Sequence, residues 1–69
     1  MNGTELRGVI ERLGLTQVGT ARFLGYNDST IRKWIADRNS IPIPVEMLLR
    51  VMLKHSLTPD NVVALVKRK

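Results

Sequence analysis

Apolar residues recur at helical spacing in five successive segments, and residue types that start or stop a helix separate those segments. In the first, Leu6, Val9, Ile10 and Leu13 take the i, i+3, i+4, i+7 positions of one helical face. Thr4 can cap its start, Glu5 suits its first turn and Gly14 closes it. Val18, Ala21 and Leu24 repeat the spacing between a second N-cap, Thr16, and the stop at Gly25. A third segment opens at Asn27 or Asp28 and turns Ile31, Trp34 and Ile35 inward, with Arg32, Lys33 and Asp37 on other faces. It ends near Arg38 and Asn39. Pro42 and Pro44 make 40–44 extended, because each disfavours helix in the residue before it, and Pro44 can open helix four. There Val45, Met47, Leu48, Leu49, Val51, Met52 and Leu53 surround most of the circumference, which predicts a central helix covered on several sides. Thr58 caps a fifth helix that begins at Pro59 and carries Val62, Val63, Leu65 and Val66 on an apolar side. No segment alternates as a strand does. The prediction is an all-α, compact five-helix bundle in one domain over 1–69, with helices at about 4–13, 16–24, 28–37, 44–56 and 59–67.

Composition removes several classes of function. At 69 residues the chain buries roughly 60% of its unfolded surface, so its core is thin. Its 43% apolar content still supports a globule rather than disorder. There is no cysteine, which excludes disulfide scaffolds, cysteine-based zinc sites and thiol catalysis. His55 is the single histidine, so no His pair can hold a metal, and it reads as a surface residue near the end of helix four. No catalytic group, metal, cofactor or small-molecule ligand is implied, and an enzyme is not expected. No apolar run approaches the ~18 residues of a membrane span. The opening MNGTELRG lacks the basic and apolar regions of a signal peptide, so a cytoplasmic location is expected. Lys and Arg number 11 against 6 Asp and Glu, a net charge of +5. That balance favours a polyanionic partner, and its scatter along the chain speaks for nucleic acid over a membrane surface.

The stretch from Thr16 to Ala36 is the informative one. A short helix, a tight turn at Gly25 and a second helix with basic residues outward follow within 21 residues. Helices cross at a large angle over so short a turn only with a small residue at their approach and apolar residues locking the crossing. Ala21 supplies the first, and Leu24, Tyr26, Ile31 and Trp34 the second. This is the helix-turn-helix pattern, which lays its second helix in the DNA major groove. Trp34 is placed by its spacing with Ile31 as a core residue rather than a stacking platform for single strands.

With Gly14-Leu15-Thr16-Gln17, Ala21, Leu24-Gly25, Ser29-Thr30-Ile31, Trp34 and Pro42 in register, the chain resembles the Cro and phage-repressor helix-turn-helix family. This is the xenobiotic-response-element family of bacterial regulators, with a lambda-repressor-like DNA-binding domain, and the likeness spans about residues 4 to 66. Glu5-Leu6-Arg7-Gly8 and the short length are also similar to small anti-CRISPR-associated repressors. Two features depart from the pattern. Gly19 and Thr20 stand where relatives carry a longer polar residue and a leucine, and a glycine inside a helix costs roughly 1 kcal/mol. Asp28 stands where many relatives carry a neutral side chain; it either accepts from cytosine N4 or, the preferred reading, caps its own helix.

The resemblance implies a sequence-specific regulator of transcription, a repressor on double-stranded DNA. Asn27, Asp28, Ser29, Arg32 and Lys33 become the base-edge candidates, with Arg32 and Lys33 able to donate to guanine O6 and N7. Thr16, Gln17, Arg22, Arg38 and Asn39 become phosphate contacts. Standing alone, Arg32, Lys33 and Arg38 read as the solvated face of a helix; within the complete register they read as DNA contacts. One helix contacts too few base pairs for useful specificity, so a homodimer on a palindromic operator is expected. Met47, Val51 and Val63 are either its interface or plain core. The basic Lys67-Arg68-Lys69 end is a solvated terminus or, less simply, a phosphate-contacting arm. The alternative is an antitoxin-like protein-interaction module with secondary DNA binding, which requires an exposed apolar patch.

Overall fold

The computed structural model describes residues 1–67, and these fold into five helices with no strand among them. They run α1 Gly3–Arg12, α2 Gln17–Leu24, α3 Asp28–Ile35, α4 Ile43–Lys54 and α5 Pro59–Lys67. Arg68 and Lys69, and with them the reading of the basic tail, lie outside the described residues. The body measures 35 × 23 × 21 Å.

Local chemistry sets most boundaries. Asn2, not Thr4, caps α1. Its side chain accepts from the Glu5 N–H at 2.8 Å while the Glu5 carboxylate accepts from the Asn2 N–H at 3.4 Å, a reciprocal capping box. At the other end Gly14, at φ +70, turns the chain back. The Gly14 N–H donates to Glu11 and the Leu15 N–H to Ile10, which satisfies two terminal carbonyls. Thr58 and Asn61 repeat the reciprocal cap at α5, where the expected start at Pro59 is the observed one. Helix four begins one residue earlier than expected, at Ile43, with Pro42 at the cap and Pro44 within the first turn.

The core is built by α1 (Leu6, Val9, Ile10), α2 (Ala21), α3 (Ile31, Trp34), the connecting Ile41, and α4 (Val45, Leu49, Met52). Leu6, Ile31, Leu49 and Met52 are sealed from solvent. The expectation that α4 is central and covered on several sides is not met. It buries one face, while Ile43, Met47 and Val51 on the others stay exposed. Among the described residues the other helices cover one broad stripe of α4 and leave the rest open. The expected apolar side of α5 is likewise uncovered: Val62 alone is half-buried, and Val63, Leu65 and Val66 are exposed. Val18, expected on the inner face of α2, is exposed as well.

One ion-pair cluster ties the N-terminus to α4. The Glu46 carboxylate accepts from the Met1 amine and from Arg50 Nε, each at 2.8 Å. These two partners, the amine first, hold the Glu46 carboxyl below the usual glutamate range. A carboxyl lowered on folding stabilises fully above its unfolded value and loses that contribution as pH falls through its folded one. The thermal midpoint of Glu46→Gln is therefore expected to trail that of the wild type at neutral pH and to draw level with it as acidification protonates the folded-state carboxyl, as melts across an acid series would read out. A gap that persists unchanged at the acid end would refute this.

Candidate nucleic-acid interface

The surface in question is formed by α2, the turn after it and α3. Thr16 caps α2 as expected, its Oγ1 accepting from the Gly19 N–H at 2.9 Å. A Cβ on Gly19 would sit 3.2 Å from that hydroxyl, so the glycine keeps the cap uncrowded. Thr20 is fully buried, and its hydroxyl donates to the Thr16 carbonyl at 2.8 Å. A polar residue thus occupies a core position of α2 without an unpaired group, and no buried side-chain polar atom among the described residues lacks a partner.

The turn forms because Gly25 adopts φ +80, which a residue with a Cβ rarely does. The Gly25 and Tyr26 N–H groups both donate to the Ala21 carbonyl, at 2.8 and 2.9 Å. Ala21 is buried where α2 meets α3. The Tyr26 ring stands edge-on to Trp34, centroids 4.9 Å apart, so Tyr26 braces the crossing from its exposed position rather than from within the core. Leu24 is half-buried.

Asp28 is the first residue of α3 and not its cap. Asn27 holds the cap position, without a side-chain hydrogen bond to the helix. Ile31 and Trp34 bury one face of α3, flanked by half-buried Thr30 and Ile35. On the opposite face Ser29, Arg32, Lys33 and Ala36 follow at i, i+3, i+4 and i+7 and are exposed, as are Asn27 and Asp28 at the leading end.

The helix ends earlier than expected, at Ile35 rather than about residue 37, and the reason matters for the site. Asp37 takes φ +59, a conformation that Asp tolerates better than most residues. The Asp37 N–H donates to Trp34 and the Arg38 N–H to Lys33, at 3.1 and 2.9 Å, which is the hydrogen-bond pattern a glycine usually supports. Asp37 Oδ1 also accepts from the Gly3 N–H at 2.8 Å, joining the start of α1 to the end of α3. Reversed in this way, the chain carries Arg38 back beside Arg32 and Lys33. Ser29, Arg32, Lys33, Ala36 and Arg38 line one shallow depression of about 260 Å³.

The expected contact residues thus divide. Ser29, Arg32, Lys33 and Arg38 share the depression. Asn39 lies beyond it, lining a neighbouring polar cleft with Asp37. Thr16, Gln17 and Arg22 belong to α2 or its cap and do not line the depression; Thr16 and Arg22 are exposed and Gln17 half-buried. Among the described residues the ion pairs are those of Glu46 with Met1 and Arg50 and of Glu5 with Arg50. Among the described residues no acid forms a direct ion pair with Arg22, Arg32, Lys33 or Arg38. Three residues that position this surface were not singled out in the sequence: Gly3, Ala36 and, as an acceptor, Asp37.

Away from this surface, Met47, Val51 and Val63 are all exposed, which overturns their reading as core. Phe23, Leu24, Leu48, Val62, Val63 and Val66 line an apolar groove formed by α2, α4 and α5. His55 is exposed at the C-terminal cap of α4. Among the described residues no group of three acids or histidines is placed to hold a metal, and no helix is long and apolar enough to cross a membrane. Comparison of the chain with protein-family models, with curated proteins and with solved structures gave no match.

Proposed function

We propose that the protein is a sequence-specific regulator of the Cro and phage-repressor type, a repressor that binds double-stranded DNA with α3 in the major groove. The observation that carries this reading is the outer face of α3. Arg32, Lys33 and Arg38 stand together there without a direct ion-pair partner among the described residues, and the opposite face is locked into the core by Ile31 and Trp34. A rigid helix with unneutralised donors on its solvent side is what a groove reader requires.

In this reading Arg32 and Lys33 donate to guanine edges, and Asn27, Asp28 and Ser29 meet bases at the leading end. The first N–H groups of α2 at Thr16 and Gln17 take a phosphate, and Arg22, Arg38 and Asn39 take others, so binding releases counterions and weakens with salt. Two copies related by a twofold axis set their α3 helices about 34 Å apart on a palindrome. The exposed Met47, Val51 and Val63 supply apolar surface for that pairing. Occupancy of a promoter site, including one ahead of its own gene, would then set expression. The same apolar surface is what favours the second reading, a protein-interaction module.

Fluorescence anisotropy with the gene's own upstream duplex and a scrambled duplex, at two salt concentrations, tests the proposal. A preference of about 10³ or more for the upstream site supports an autoregulatory repressor. Equal, steeply salt-dependent binding to both reduces the contacts to electrostatics, and no binding at moderate salt favours the protein partner.

A further inference from the structure

Resting on the DNA reading above, we infer that Ala36 reads the C5 methyl group of a thymine. Ser29, Arg32, Lys33 and Ala36 form one ridge along the outermost line of α3, and Arg38 closes its far end. Three of these five side chains are long cations. Ala36 adds to the same lining a single exposed methyl, shorter than the cations beside it and without a polar atom. A base edge laid against this ridge meets the long donors of Arg32 and Lys33 first. A group that projects from the edge reaches the shorter Ala36, whose own side chain offers it no hydrogen bond. A base acceptor or amino group pressed onto Ala36 is left unpaired, whereas an apolar group gains contact. The thymine methyl is the apolar group that the major groove presents. Ala36 thereby deepens the assignment from a guanine-preferring surface to one that requires a thymine beside the guanine contacts of Arg32 and Lys33.

Selection of the wild-type protein on a random duplex library supplies the probe. The enriched duplex is then remade with deoxyuridine in place of each thymine in turn, a change that removes only the methyl group. One such replacement in each half-site is expected to weaken wild-type binding about fourfold, the value of one buried methyl. Ala36→Gly, which removes the methyl from both protomers, is expected to bind the thymine duplex about fifteenfold more weakly and to be indifferent to that same replacement. Ala36 is exposed at the end of α3, and a matching thermal melt shows that the variant is folded. The assignment is overturned if no deoxyuridine replacement affects the wild type, or if Ala36→Gly stays as sensitive as the wild type. Enrichment of a site without a methyl response removes this inference alone. Failure to enrich any sequence removes the DNA reading and this inference with it.

Discussion

Gly3→Ala is expected to cost the protein about 3 kcal/mol or more, a large share of the roughly 3–10 kcal/mol that holds a domain of this size folded. Gly3 is buried at the joint where the start of α1 meets the end of α3. A Cβ there would fall on the Ile35 carbonyl and lie 2.8 Å from that of Trp34. Both obstacles are backbone atoms, so no side chain can rotate aside, and the two helix ends must separate. Separation also breaks the hydrogen bond from the Gly3 N–H to Asp37, which helps hold Asp37 in its left-handed conformation. The matched control is Gly8, on the same helix, where an added Cβ meets nothing within 4 Å. There alanine is expected to stabilise by about 0.5–1 kcal/mol, through helix propensity and a less free unfolded chain. Urea and thermal unfolding followed by circular dichroism compare the two. A midpoint drop of more than about 12 °C is expected for Gly3→Ala and a rise of a few degrees for Gly8→Ala. A Gly3→Ala protein within 1 kcal/mol of the wild type would show that the helix ends yield freely.

The contrast between these glycines shows what the chain reveals of itself and what it does not. Segment periodicity gave five helices at nearly the observed positions, because Leu6, Val9, Ile10, Ile31 and Trp34 carry a period that packing then uses. Thr16, Gly25 and Thr58 were legible as boundaries because capping and left-handed turns are local chemistry. Gly3 and Asp37 were not, since their roles arise from an approach between residues 34 positions apart, and neither carries a local sign of it. Thr4 offers itself as the cap of α1 by type, yet Asn2 and Glu5 form the reciprocal pair at the required spacing. Period alone also misjudged α4. A helix rich in apolar residues on every side is covered only as far as the chain has neighbours to give it, which leaves Met47 and Val51 in solvent. At the candidate site, exposure of Asn27, Asp28, Ser29, Arg32 and Lys33 agrees with their placement on the outer face. The gathering of Arg38 with Arg32 and Lys33 depends on the early reversal at Asp37, which the pattern had placed inside the helix.

That reversal separates two cations that otherwise look alike. Lys33 lies on the ridge of α3, directed at base edges in the proposed complex, whereas Arg38 stands past the helix end, where the phosphate backbone passes. Lys33→Ala is therefore expected to lose roughly 1–3 kcal/mol on the preferred duplex and to relax preference at one operator position. Binding to scrambled DNA changes less, because the lost term was a particular donor-to-base bond. Arg38→Ala is expected to weaken preferred and scrambled duplexes alike and to flatten the dependence of log K on log salt by about 1.8, the share of one phosphate from each protomer of the dimer. Both side chains are exposed and outside the ion pairs of the fold, so the variants should melt with the wild type. Anisotropy titrations of the three proteins on both duplexes, at several salt concentrations, resolve the two behaviours. Should both variants lose affinity equally on every sequence with the same change in slope, Lys33 would be an electrostatic contact and not a reader. Sequence preference would then have to come from Arg32 and the leading end of α3.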